Sequence, residues 1–320
     1  MTQPNSDRKP RQLVSRCTLF FVALAAAACA SKKPPGEEEP QIPGAVPVSD
    51  VGFLLPEMGG AGPRNAPSFA ACAETRAQAE ARAADMFIML DHTGSMGNDC
   101  PLNLEGEPTG DSKWCYATHA FAEYFTSVAA LGNRAALQFM SGPDFVCSGG
   151  PNNGASRAAI SMTDLPVPPT HPLITALDEN GPTGGMGTQI EAALRGIADY
   201  TRDNETPGRT IIGVLATDGD PNGCEQNVGD LADIVEQHLV ETGIRTFVIG
   251  MTGASLNNLE RMASVGGAPE HTDHCGGQDD CHFWSVGDGD PVAFVDALSQ
   301  IEAAAVVGVL RRATHARHSL

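Results

Sequence analysis

Asp91, Thr93 and Ser95 set one carboxylate and two hydroxyls at alternate positions of the stretch Asp91-His92-Thr93-Gly94-Ser95-Met96, directly after the apolar run 86–90. Oxygen donors without thiolate or imidazole suit a hard divalent cation, Mg²⁺ or alternatively Mn²⁺ or Ca²⁺, rather than zinc. Gly94 permits the tight turn that aims them at one point. Two further stretches carry matching chemistry. Gly184-Gly185-Met186-Gly187-Thr188-Gln189-Ile190 offers the hydroxyl of Thr188 just before a helical pattern, and Leu215-Ala216-Thr217-Asp218-Gly219-Asp220-Pro221 offers Asp218 just after a strand pattern. The chain has no phosphate loop, no His-Glu-x-x-His and no nucleophile elbow followed by Asp and His, so a metal-dependent hydrolase is the least favoured reading and the protein is not expected to be an enzyme.

Asp91-x-Thr93-x-Ser95 resembles the Asp-x-Ser-x-Ser motif of the von Willebrand factor type A (VWA) family, which opens that family's metal-ion-dependent adhesion site (MIDAS). Thr93 stands where the family has its first Ser and keeps the hydroxyl. Thr188 matches the family's loop Thr, Asp218 its second acid, and Thr246-Phe247-Val248-Ile249-Gly250 its fifth strand, with the resemblance covering roughly 84–301. The resemblance implies that Thr93 and Ser95 would ligate a metal through their hydroxyls. Thr188 and Asp218 would alternate between direct and water-bridged contact, and Asp91 would hold a coordinated water. A partner's Glu or Asp carboxylate would fill the remaining position. The implied function is a cell-adhesion-type binding module that recognises an acidic group on a protein or other macromolecule. The alternative is an envelope scaffold or assembly protein in which the metal is structural.

Other residues offer weaker chemistry. His271, His274, Cys275, Cys281 and His282 lie close enough in sequence to bind zinc, but in an exported chain a Cys275–Cys281 disulfide is favoured. Asp218-Gly219-Asp220 and Asp288-Gly289-Asp290 lack the oxygen spacing of an EF-hand, so turn and N-cap duties are expected of Asp220, Asp288 and Asp290. His92 reads as a solvent-facing spacer and His238 as a surface residue. The insertion 97–113, with Asp99, Glu105, Glu107 and Asp111, either rims the metal site and sets partner choice or is simply a solvated loop held by a disulfide.

The elements that must position these residues alternate. Strand candidates are 86–90, 135–140, 158–162, 210–216, 245–249 and 283–286; helical patterns run over 114–131, 189–200, 228–239, 256–263 and 292–301. Asp290 as N-cap and Pro291 at the first helical position mark the start of the last helix. The pattern predicts an α/β fold: a doubly wound, mostly parallel six-stranded sheet with helices on both faces, Rossmann-like, and the resemblance implies its VWA form. In such sheets, sites form at the carboxyl ends of strands.

The N-terminus reads as an export signal. Residues 1–29 read as a signal peptide: Arg8, Lys9, Arg11 and Arg16 precede an apolar run that ends in Ala26-Ala27-Ala28. Cys29 then stands where a lipoprotein would be acylated, although the three alanines equally suit an ordinary signal peptidase. With lipidation, the expected location is the outer membrane, the membrane being reached through the lipid anchor only; without it, the protein is secreted or periplasmic. The net charge is −19, and the four basic residues and one acid of the first 28 leave −22 for the remainder. That balance repels nucleic acid and attracts cations. Residues 30–70 are rich in Pro, Gly and Glu and read as a flexible tether, 71–302 as the folded domain and 303–320 as an atypical basic tail. The tail is either foreign to the domain, leaving Cys72 a free thiol, or a helix extension with a basic end. Placing Cys100, Cys115, Cys147 and Cys224 on loops at the metal-bearing end predicts Cys100–Cys115 and Cys147–Cys224, with Cys275–Cys281 at the opposite end.

Overall fold

The structure is a computed structural model and describes residues 83–316 except 186, 288 and 289. Residues 1–82, with Cys29, Cys72 and the stretches read as signal peptide and tether, and residues 317–320 lie outside the described residues. Six strands run as β1 (Ala84–Asp91), β2 (Arg134–Met140), β3 (Ile160–Asp164), β4 (Thr210–Thr217), β5 (Arg245–Met251) and β6 (Trp284–Val286). They form one sheet in the order β3-β2-β1-β4-β5-β6. All neighbours are parallel except β2 and β3, which are antiparallel. Six helices accompany it: α1 (Lys113–Thr126), α2 (Pro172–Glu179), α3 (Ile190–Asp203), α4 (Val228–Thr242), α5 (Leu256–Val265) and α6 (Pro291–Ala316). α1, α2 and α6 cover one face, and α3, α4 and α5 the other. This is the doubly wound, Rossmann-type and VWA-like architecture that the sequence implies.

The eight residues of β1 are all buried because both faces are covered. Side chains alternate across the sheet: Phe87 stacks on Tyr200 of α3 with ring centroids 3.9 Å apart, whereas Met86 meets Tyr124 of α1. Asp85 is a buried charge within this strand, and it is matched: Arg134 grips both carboxylate oxygens and the Nε of Arg209 donates to Oδ1 at 2.5 Å. These ion pairs fix the amino end of the sheet, opposite the expected site.

Three elements differ from the sequence reading. The helical pattern of 114–131 stops at Thr126, because Ser127 turns extended and its hydroxyl caps a short 3-10 turn, Val128–Ala130. Val128 and Leu131, which lie within that pattern, are exposed. α2 falls in a segment read as loop; Pro172 at its first turn and the buried Leu173, Ile174 and Leu177 explain it. α6 continues helical to Ala316, past the end of the helical pattern at Ile301. Among the described residues, no helix is long and apolar enough to cross a membrane.

Candidate metal centre

β1 and β4 are neighbours, but the chain winds outward from β1 to β2 on one side and from β4 to β5 on the other. A crevice opens at the carboxyl ends of two such strands. Asp91 ends β1 and Asp218 follows β4 directly, with Leu90 paired to Ala216. Strand register alone thus brings the two acids together.

Asp91 is 0% exposed and Asp218 2%. Asp91 Oδ1 accepts the backbone N–H of Thr93 at 2.9 Å, and Oδ2 accepts the hydroxyl of Thr217 at 2.7 Å. Burial pushes the Asp91 carboxyl above the usual carboxylate range; the hydrogen bonds from Thr217 and Thr93 oppose the shift and the Asp218 charge adds to it. Thr93 Oγ1 lies 2.9 Å from Ser95 Oγ, and Ser95 donates to Asp218 Oδ1 at 2.9 Å. Ser95 is thus bonded to a carboxylate rather than to an imidazole.

Thr188 arrives on a third loop. Thr188 is buried; its hydroxyl lies 3.1 Å from where a Cβ on Gly219 would sit, beside Asp218, and among the described residues it is not hydrogen-bonded to the other four. Several contacts fix this loop. Thr183 N–H donates to the carbonyl of His92 at 2.6 Å. Gly187 has φ +70, and a side chain there would sit 2.9 Å from the carbonyl oxygen of Asn222, so only glycine fits. Ser141, just past β2, holds both flanks of Thr188: its hydroxyl donates to the carbonyl of Gly187 at 2.7 Å and accepts from the N–H of Gln189 at 3.3 Å. It does so with φ 80, the left-handed region that non-glycine residues seldom enter. Nothing in the sequence marks Ser141 for this duty.

The donor set fits a small hard cation. Adjacent oxygens around octahedral Mg²⁺ are about 2.9 Å apart, which is the spacing from Thr93 to Ser95 and from Ser95 to Asp218. Two buried acids at one crevice also call for positive charge. Part of that charge comes from a residue the sequence reading passed over. The Lys113 ammonium contacts Asp218 Oδ2 and donates to the carbonyl of Thr252 at 2.8 Å. Its only sequence signal is its place in the insertion that follows the metal motif.

That insertion sits on the site side. Gly97, at φ +96, packs against Ser112, and Ser112 caps α1 by accepting from Cys115 N–H while donating to the carbonyl of Asn98 at 2.7 Å. Leu102 N–H binds Asp178 of α2 at 2.7 Å. Disulfides join Cys100 to Cys115, Cys147 to Cys224 and Cys275 to Cys281. The third pair does not lie at the opposite end of the sheet. Gly276 packs against Leu256 at the start of α5 and against Ser285, which pairs with Gly250 near the end of β5.

The three histidines near Cys275 and Cys281 have structural partners. His271 stacks on Trp284 with ring centroids 4.2 Å apart, His274 binds Asp296 at 2.8 Å and His282 binds Glu260 at 2.6 Å. The sulfurs of Cys275 and Cys281 lie near His271 but are bonded to each other. His92 is not a solvent-facing spacer: its ring meets Phe139 edge-on at 5.6 Å, and its Nδ1 is buried without a hydrogen-bond partner. His238 is not a surface residue either. It is buried and bonded to the Thr201 hydroxyl at 3.0 Å, and burial pushes its pKa down. Asp220 accepts from Ser255 N–H and the Asn258 amide, and Asp290 from Ala293 N–H, so both serve helix starts; Asp288 lies outside the described residues.

No family model and no curated protein matches the chain. It is similar in fold to several solved structures. Proximal thread matrix protein 1 from the mussel byssus is 15% identical, over 67% of this chain and 46% of that one, with TM-score 0.43. The PilB minor pilin from Streptococcus sanguinis is 13% identical, over 70% and 61%, with TM-score 0.44. The SpRpn10 VWA domain is 11% identical, over 68% and 95%, with TM-score 0.44. The chain thus spans less than two thirds of the length of the mussel and pilin proteins. These likenesses concern the fold, and the site stands on its own geometry.

Proposed function

We propose that this protein is a binding module that holds a divalent cation, Mg²⁺ or alternatively Mn²⁺ or Ca²⁺, on the oxygens of Asp91, Thr93, Ser95, Thr188 and Asp218. Through it the protein recognises a carboxylate on a protein or other macromolecular partner. The observation that carries the reading is the set of oxygens from three loops gathered at the switch point of the sheet, with Ser95 spaced 2.9 Å from both Thr93 and Asp218. When bound, the cation supplies an electrophilic centre for an anionic ligand. Thr93 and Ser95 hold it through neutral hydroxyls, which leave its charge little reduced, and Asp91 orients the first loop through the Thr93 N–H.

The tether and Cys29 extend this reading to the cell envelope. A lipid on Cys29 would anchor the module at the outer membrane, with plain secretion or a periplasmic location as the alternative. An envelope scaffold in which the metal is only structural remains the second reading, because Lys113 already neutralises part of the site. One experiment separates them. Envelope fractions of cells carrying the wild type or Cys29→Ser are extracted, and partners are captured with Mg²⁺ or with a chelator. The proposed function expects membrane release of the Cys29→Ser protein and partner capture that chelation abolishes. Capture unaffected by chelator would exclude metal-dependent recognition, and a Cys29→Ser protein still in the membrane would exclude the anchor.

A further inference from the structure

We propose that Lys113 is a specificity-determining residue of this site: its ammonium, seated on Asp218 and the Thr252 carbonyl, competes with the divalent cation for Asp218 and makes the loaded site net positive toward an anionic partner. The proposal deepens the metal-binding reading and rests on it.

The placement of Lys113 is held from the backbone outward. It is the first residue of α1, directly after the capping Ser112, and the Cys100–Cys115 disulfide pins the same turn. The stem leads inward, leaving the side chain only 20% exposed, and the partner carboxylate of Asp218 is 0% exposed. Asp218 therefore divides its two oxygens: Oδ1 accepts from Ser95, and Oδ2 from Lys113. A cation bound by Ser95 and Asp218 meets a fixed positive charge one carboxylate away. Removing that charge leaves a buried carboxylate uncompensated, which raises its demand for a metal.

The charge balance runs the other way for the partner. Asp91, Asp218 and a divalent cation together are neutral, and the Lys113 ammonium leaves the loaded site at +1. The exposed acids Asp99, Glu105, Glu107 and Asp111 lie in the adjoining insertion, so a neutral site would offer an incoming carboxylate little against their repulsion. The ammonium need not stay on Asp218 to act. Lys113 and Asp290 line one small crevice between α1, the ends of β5 and β6, and α6, so a displaced head group has a second acid within the same wall. Lysine suits such a role because its charge is a point on a flexible four-carbon stem.

The test uses the folded chain and two probes, Mg²⁺ alone and acetate. Titration calorimetry of Lys113→Met should show Mg²⁺ binding at least about tenfold tighter than wild type, and this gain should vanish in Lys113→Met combined with Asp218→Ala. With Mn²⁺ in the site, paramagnetic relaxation of the acetate methyl protons should report weaker acetate binding to Lys113→Met than to wild type. Lys113→Arg, which keeps the charge, should stay near wild type in both, and Lys113→Gln provides a second neutral variant if the methionine form folds poorly. Unchanged or weaker Mg²⁺ affinity, or acetate binding that ignores the substitution, overturns the role of Lys113 while the metal site stands. If neither the wild type nor Lys113→Met binds Mg²⁺ or Mn²⁺, the metal-binding reading fails and this proposal fails with it.

Discussion

Asp91 is the most confined acid of the site, and its confinement has a thermodynamic consequence. Its carboxyl is held above the ordinary value mainly by burial, so the unfolded chain ionises it more readily than the folded one does. Folding at neutral pH then carries a cost that protonation relieves: the cost is full above the folded pKa and fades as pH falls toward the unfolded value. Asp91→Asn removes the charge and keeps the shape. The metal-free variant should therefore melt above the metal-free wild type at pH 7, and the gap should close as the pH approaches 4 (about the ordinary Asp value). Added Mg²⁺ should raise the melting temperature of the wild type alone. A variant less stable than wild type at pH 7 without metal would show that the carboxylate is structural. The residue scale is also where the sequence is least legible. Asp91, Thr93 and Ser95 announce themselves by type and spacing, because a local turn aims them, and Asp218 by standing directly after a strand pattern. Lys113 does not, since it meets an acid 105 residues away through topology alone. His238 reads as a polar helix position until the packing of α3 against α4 encloses it beside Thr201.

At the scale of elements, the three loops of the site can converge only if α3 lies close to the sheet and to the turn Gly154–Ser156. Glycines allow that approach. A Cβ on Gly196 of α3 would lie 2.5 Å from the backbone of Ala155, and one on Gly213 of β4 would lie 2.1 Å from the terminal Cγ2 of Ile197. Backbone cannot yield as a side chain can. Gly196→Ala should thus destabilise the fold by about 1–3 kcal/mol in chemical denaturation, and Gly213→Ala by less, because Ile197 can rotate. Equal costs would mean that α3 is free to move. All six strands were legible because apolar runs and turn residues bound them. The antiparallel direction of β3 was not, because its pairing with β2 depends on a long connection rather than on local pattern. α2 escaped notice among Pro166, Pro168, Pro169 and Pro172, which signal breaks more loudly than one short apolar stripe signals a helix. Val128 and Leu131 continued a helical period that Ser127 ended.

Over the whole molecule, the disulfides tie together the loops that carry the site. Cys147 follows β2 and Cys224 follows β4, and their bond closes a separation of 77 residues; beside it, Glu191 at the start of α3 accepts from Glu225 N–H at 3.0 Å. Thr188, three residues before Glu191, and Asp218, six before Cys224, are thus held by the same clasp. Cys275–Cys281 closes only 6 residues, within the loop before the edge strand β6, which is separated from β4 by β5. Restricting the unfolded chain stabilises more when the loop is longer, about 4.5 kcal/mol for the first and about 2.2 kcal/mol for the second by the chain-entropy relation. Replacing both cysteines by serine in each pair should therefore lower stability about twice as much for Cys147 and Cys224 as for Cys275 and Cys281. The two losses should also differ in kind. Loosening Cys147–Cys224 frees the flanks of Thr188 and Asp218 and should weaken Mg²⁺ binding, whereas opening Cys275–Cys281 should leave it unchanged. Chemical denaturation and calorimetry on the two double variants measure both effects. Equal Mg²⁺ affinities in both would mean that the Ser141 hydrogen bonds and the strand register hold the site without the disulfide, and the clasp would then serve stability alone.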